Sequence, residues 1–211
     1  MQQKILRRSN RERTAETRAR LIAAARRLFV EKSYGETGTP EIVASAGLTR
    51  GALYHHFADK QALFLAVVEK EAADVAEEIE RQAGSALDPL DALVKGGNAF
   101  LDAMAKPGRT RLLLLDGPAV LGRAAMDAID GRHGGRTLRE GLDAAMRSGA
   151  IRSLPLDALT ALLAAAYDRA ALAISAGADA QAFRDTLAVL VESLRPANSD
   201  LSRRLPPPAR R

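Results

Sequence analysis

The sequence contains no cysteine and no tryptophan, and aromatic residues make up 4% of it. Without cysteine there is no disulfide framework, no thiolate metal site and no cysteine nucleophile. Runs of Val, Ile, Thr and aromatic residues are missing, so no segment reads as a strand. No apolar run approaches the ~18 residues expected of a membrane span, so no membrane partner is expected. The stretch from Met1 to Arg13 is basic and lacks the apolar core of a secretory signal, which points to the cytoplasm. There is no Glu-x-x-His pair, no glycine-rich phosphate loop and no nucleophile–base arrangement, which argues against a helical enzyme.

What is present is ordinary globular composition with an uneven charge. Hydrophobic residues are 47% and charged residues 27% of 211. Residues 1–60 carry net +6, residues 61–200 net −5 and residues 201–211 net +4, together the overall +5. A basic end on an acidic body is the footprint of a polyanion ligand, most simply nucleic acid; the plain alternative is a solvated basic surface.

The punctuation is helical throughout. Thr14 can cap a first helix over about 14–32, with Leu21, Ala25, Leu28 and Phe29 on one face. Thr37 or Thr39 can cap the next, with Pro40 in its opening turn and Gly47 ending it. Thr49 caps a short helix to Phe57, and Asp59 a long one over about 60–82. A helix over about 89–105 follows, then a short apolar piece broken at Asp116-Gly117-Pro118. Two helices, 118–129 and 136–148, flank a flexible Gly131–Gly135 stretch in which His133 reads as solvated. Two more close the body, 156–175 and 179–194, before a Pro/Arg-rich tail expected to be disordered.

The segment from Glu41 to Phe57 has the layout of a helix-turn-helix: two helices joined by a short Gly-containing turn and locked by apolar residues. Thr49 and the amides behind it suit a phosphate. Arg50 can reach a phosphate or a guanine edge. Gly51 lets the backbone approach a groove, and Tyr54, His55 and His56 offer donors on short, stiff side chains. Tyr54 could instead be a packed aromatic. His55 and His56 could be a metal pair, but neighbours on a helix point about 100° apart and no third ligand is in sight, so no metal and no cofactor are expected.

From Arg18 to Val68 the sequence resembles the DNA-binding domain of the tetracycline-repressor (TetR) family of bacterial transcriptional regulators. The residues that carry the resemblance include Leu21, Ala24, Ala25, Leu28, Phe29, Tyr34-Gly35, Thr37, Ile42, Ala46-Gly47-Leu48-Thr49, Gly51, Leu53-Tyr54, Phe57, Lys60 and Leu63-Phe64. The resemblance implies an all-α protein, with a helix-turn-helix head over residues 14–60 and an effector-binding and dimerisation body over 61–196. A basic arm (1–13) and a basic tail (197–211) flank them. It implies DNA contacts from Thr39, Thr49, Arg50, Gly51, Tyr54, His55 and Lys60, the last to phosphate. It implies a homodimer through the last two helices, for which Leu163, Phe183, Leu187, Leu190 and Leu194 are candidates. It also implies a small-molecule pocket, for which Phe100, Met104, Met126 and Tyr167 are candidates, though Met and aromatic residues at helical spacing also read as core.

Two departures from the family pattern bear on local structure. Ser33 stands where the family usually has glycine, and Gly38 where it usually has Ser or Thr. An adjusted turn is expected at Ser33, because a side chain at positive φ is unfavourable by ~1 kcal/mol. Asp168-Arg169 interrupts an apolar helix and needs a partner, whether across a dimer, in a loop or on an effector. The expected function is a homodimeric repressor of a palindromic double-stranded DNA operator, released by a small-molecule effector. The alternative is a non-specific architectural DNA binder.

Overall fold

The computed structural model describes residues 10–196; most of the expected arm and the Pro/Arg-rich tail lie outside them. Every regular element among the described residues is helical. Three helices form the head: α1 (Asn10–Lys32), α2 (Thr39–Ala46) and α3 (Arg50–His56). The long α4 (Lys60–Ala83) runs from the head into the body and lies along α5 (Pro89–Met104).

α1 starts earlier than its apolar pattern suggests. The Thr14 hydroxyl donates to the Asn10 carbonyl at 2.8 Å instead of capping, so residues 10–13 are helix rather than arm. Its apolar face meets Ile42, Leu53, Leu63 and Phe64, all fully buried. Phe29, Tyr34 and Phe64 form a ring cluster with centroids 5.0–5.6 Å apart. Side chains of this size contribute about 1.5–3 kcal/mol each on burial.

Two turns hold the head's geometry. Gly47 (φ 61) ends α2, and the Thr49 hydroxyl caps α3 by accepting from the Ala52 amide at 3.2 Å. The other turn corrects an expectation. Ser33 keeps a positive φ of 106°, so the turn is not adjusted to avoid it. Its amide donates to the Phe29 carbonyl at 3.0 Å, and its own carbonyl accepts from the Thr37 hydroxyl at 2.7 Å. Thr37 is therefore a buried lock on this turn, not a helix cap; Gly38 holds the cap position of α2.

After α5 the chain runs through α6 (Arg109–Arg111), a π-helical turn (Leu112–Asp116) and α7 (Gly117–Leu121). The break expected at Asp116-Gly117-Pro118 does not occur. The Gly117 amide reaches the Leu112 carbonyl across the wider π turn, and Pro118 falls in the first turn of α7, where its missing N–H is harmless. The chain breaks at Gly122 instead, where φ is 85° and ψ 157°. α8 (Arg123–Asp130) and α9 (Gly134–Arg147) follow. His133 between them is half-buried rather than free in solvent: its Nε2 lies 2.9 Å from Glu69 Oε2 on α4.

α10 (Leu156–Ser175) and α11 (Ala180–Glu192) close the body. A second apolar core joins Leu90, Leu93, Leu142, Ile151, Leu163, Val191 and Leu194. α10 is, by length and composition, apolar enough to cross a membrane, although charged residues interrupt it in the sequence. Here it packs on α5, α9 and α11.

Candidate DNA-reading face and body cavity

α3 turns Leu53 into the head core and leaves Arg50, Gly51, Tyr54 and His55 exposed beside Thr49. The Arg50 guanidinium sits 5.5 Å from the Tyr54 ring centroid. Hydrogen bonds with the Thr39 side chain first, and then with Arg50, hold the Tyr54 phenol below its ordinary pKa. Thr39, Arg50 and Tyr54 thus form one surface unit joining α2 to α3. A Cβ built at Gly51 would meet only the Thr49 hydroxyl, at 3.9 Å, so the protein's own packing does not demand glycine there. His55 and His56 stack edge to face at 5.3 Å, and burial, then the neighbouring His55 and Arg18, lowers the His56 pKa. No group of three metal-ligating side chains is found among the described residues.

Lys60 has an internal task as well as its expected outward one. Its ammonium donates to the carbonyls of Tyr34 (2.9 Å) and Thr37 (3.1 Å) and lies 4.2 Å from the Tyr34 ring centroid. One N–H is left to face outward. The arginines of α1 also have defined tasks. Arg20 caps α2 through the Ala46 carbonyl at 2.7 Å, Arg27 bonds the Ser45 hydroxyl, and Arg18 sits over the Phe57 ring.

A cavity of about 550 Å³ lies in the body. Phe100, Met104 and Met126 line it together with Val75, Leu113 and Leu114. A smaller lobe of about 100 Å³ shares Phe100, Asp130 and Asp168 with it and adds Tyr167 and Gly97. The Tyr167 ring fits because position 97 is glycine: a Cβ there would stand 2.0 Å from the Tyr167 hydroxyl. Burial pushes the Tyr167 phenol up to about 12. Asp168 also faces this space, and burial, then the nearby Asp130 carboxylate, pushes it up to about 6.

A buried charge cluster, which the sequence pattern did not reveal, connects cavity wall and head. Glu71 on α4 is 3% exposed and Arg109 on α6 is 4% exposed. The Glu71 carboxylate accepts from Arg26 of α1 at 2.7 Å and from Arg109 at 2.8 Å. Burial alone raises the Glu71 carboxyl, but these two hydrogen bonds outweigh it and hold the group below the usual carboxylate range. Arg26 also reaches the Pro107 carbonyl, and Arg109 the Ala103 carbonyl.

The expected dimer residues divide. Leu163, Leu187 and Leu194 are 5–8% exposed and packed into the chain's own cores. Phe183 is half-buried against the same packing. The apolar side chains that α10 and α11 leave outside are Leu162, Val189 and Leu190, at 71%, 64% and 47% exposure.

A three-helix head with an exposed α3, carried on a helical body with an apolar cavity, is the architecture of a one-component transcriptional regulator. Residues 21–67 match the family described as "Bacterial regulatory proteins, tetR family", and residues 90–196 match "Tetracyclin repressor-like, C-terminal domain". The chain belongs to the TetR family. It is 36% identical over 108 residues to the HTH-type transcriptional regulator AcrR of Shigella flexneri, covering 51% of this chain and 50% of that one. The chain thus spans half or less of the length of the first curated relatives it matches. A TetR-family regulator from Pectobacterium atrosepticum superimposes with a TM-score of 0.70 at 35% identity, covering 89% of this chain and 95% of that one. FadR of Bacillus subtilis, solved with stearoyl-CoA, shares the fold at 16% identity and a TM-score of 0.72, covering 83% and 97%. It is a TetR-family DNA-binding transcriptional regulator.

Proposed function

We propose that the protein is a homodimeric cytoplasmic repressor that binds a palindromic operator and is released by a small molecule held in the body cavity. The observation that carries this reading is the connection through Glu71. One carboxylate is gripped by Arg26 of the head and by Arg109 of α6, which leads directly into the cavity-lining Leu113 and Leu114. A ligand that displaces this wall acts on α1 through a buried ion pair rather than through solvent.

Thr49, Arg50, Gly51, Tyr54 and His55 present α3 to a major groove, with Thr39 and the outward N–H of Lys60 on the flanking phosphates. Leu162, Val189 and Leu190 supply the apolar face by which α10 and α11 pair with a second copy. Two-fold pairing places the recognition helices about 34–36 Å apart, one turn of duplex. The coupling expected between effector and operator is of order 1–3 kcal/mol, and operator weakens effector binding by the same factor.

The test is footprinting of the purified protein on DNA from its own promoter region. Protection of a symmetric site, lost when a cavity ligand is added, supports the reading. Uniform coating with no preferred site would mean an architectural binder, and protection strengthened by ligand would replace repressor release with co-repression.

A further inference from the structure

The cavity is apolar on most sides, and its charges are not all matched. Three guanidiniums reach its rim, and each has a carboxylate of its own. Arg123 pairs with Asp127, Arg139 with Asp157, and Arg136 with both Glu80 and Glu140 at 2.6 and 3.0 Å. Asp130 and Asp168 have no ion pair among the described residues. Asp130 accepts only the Gly135 amide at 3.0 Å. The unmatched charge in the cavity is therefore negative.

A second observation points the same way. Tyr167 is 7% exposed, and its hydroxyl has no hydrogen-bond partner among the described residues. It opens on the lobe shared with Asp168, and its ring stands edge-on to Phe100 with centroids 6.0 Å apart. The hydroxyl is thus left free to bond a group placed in that lobe. Aromatic faces beside carboxylates in an apolar enclosure are the combination that holds organic cations. A volume of about 550 Å³ suits a drug-sized molecule.

We propose that this cavity takes an organic cation with an aromatic body, its ammonium between the Asp130 and Asp168 carboxylates and its rings against Phe100 and the Met104–Met126 side. This names the ligand class for the effector site proposed above and rests on that reading. An anionic ligand would have to displace a carboxylate from a paired arginine, and it would meet two unpaired carboxylates inside.

The experiment is calorimetric titration of the full chain with three probes of one shape. These are (naphthalen-1-ylmethyl)trimethylammonium, its neutral all-carbon isostere, and 1-naphthylacetate. The expected result is a preference of about tenfold or more for the ammonium over the neutral probe, with the anion weakest. Asp168→Asn reduces the preference severalfold and Asp130→Asn with Asp168→Asn abolishes it, while Asp168→Glu keeps it; a melting scan checks that the variants fold. Equal binding of the three probes, tighter anion binding, no binding of any, or an Asp168→Asn variant that keeps the preference each overturns the proposal. Operator release is measured separately. An ammonium that binds through Asp168 yet leaves the operator complex intact upholds the ligand class and overturns the effector role.

Discussion

Arg26 Nε lies 2.7 Å from Glu71 Oε1, and this contact joins the first helix of the head to the helix that enters the body. The second carboxylate oxygen meets Arg109, which is itself 4% exposed. Charges so deeply buried contribute little net stability as a pair, because desolvation offsets attraction. Removing one partner is different, since it strands the others.

Glu71→Ala is therefore expected to destabilise the protein by about 3 kcal/mol, with Arg109 left buried and its main charge partner gone. Glu71→Gln keeps the shape and loses the charge, and should cost less. Denaturant unfolding checks both. In Glu71→Gln, operator binding should survive while ligand changes it by a smaller factor than in the parent, measured by titrating operator with and without a saturating cavity ligand. An unchanged ligand effect would remove Glu71 from the coupling.

On the head, Arg50→Ala should weaken operator binding by about 1–3 kcal/mol if the guanidinium reads a base, and relax preference at one operator position. Tyr54→Phe removes the bond to Thr39 and should weaken binding to all sequences alike. Lys60→Met should do two things at once. Losing the bonds to the Tyr34 and Thr37 carbonyls lowers the melting temperature, each net bond being worth about 0.5–1.5 kcal/mol. Losing the outward N–H lowers the salt slope of DNA binding by about one unit. A stability loss with an unchanged slope would leave Lys60 only its internal role.

The head was legible in the sequence because its signals are local. Gly47 and Thr49 stop and start helices by their own backbone preferences, and Leu53 and Phe57 follow at helical spacing. What escaped depends on partners far apart in the chain. Nothing beside Glu71 foretells Arg109, and nothing beside Tyr167 foretells the empty Cβ position of Gly97. Ser33 was misjudged because its penalty is local while its restraint, the Thr37 hydroxyl, comes from beyond the turn. The facing of α10 was beyond reach for another reason. A helix apolar on nearly every side gives no phase, so Leu163 and Leu162 look equivalent although one is 8% and the other 71% exposed.

That difference in facing makes a sharp prediction for assembly. Leu190→Glu, with Leu162→Glu if needed, puts a charge on the face that the proposed dimer buries. It should yield a folded monomer in sedimentation velocity, with unchanged helical circular dichroism. Leu187→Glu instead puts a charge into the core, where Leu187 is 5% exposed, and should unfold the chain. If Leu190→Glu and Leu162→Glu together remain dimeric, the pairing surface lies elsewhere.

The last prediction concerns pH. Asp168 is pushed up to about 6 by burial, then by Asp130, with Arg123 acting in the opposite sense. A carboxyl with a raised folded pKa binds its proton more tightly in the folded state. Its favourable contribution is complete below the unfolded value near 4 and is lost as pH rises through about 6. The ionised carboxylate at neutral pH therefore opposes folding, by an amount on the order of 2 kcal/mol. Asp168→Asn should raise stability at pH 7.5 and change it little at pH 4, so the two unfolding curves converge in acid. Glu71 works in the opposite sense, since its lowered pKa stabilises the fold above the unfolded value and is lost in acid. Subtracting the variant's stability-versus-pH curve from the parent's cancels that shared term and isolates Asp168. A difference that stayed flat between pH 4 and 7.5 would mean that the carboxylate is already satisfied in the free protein.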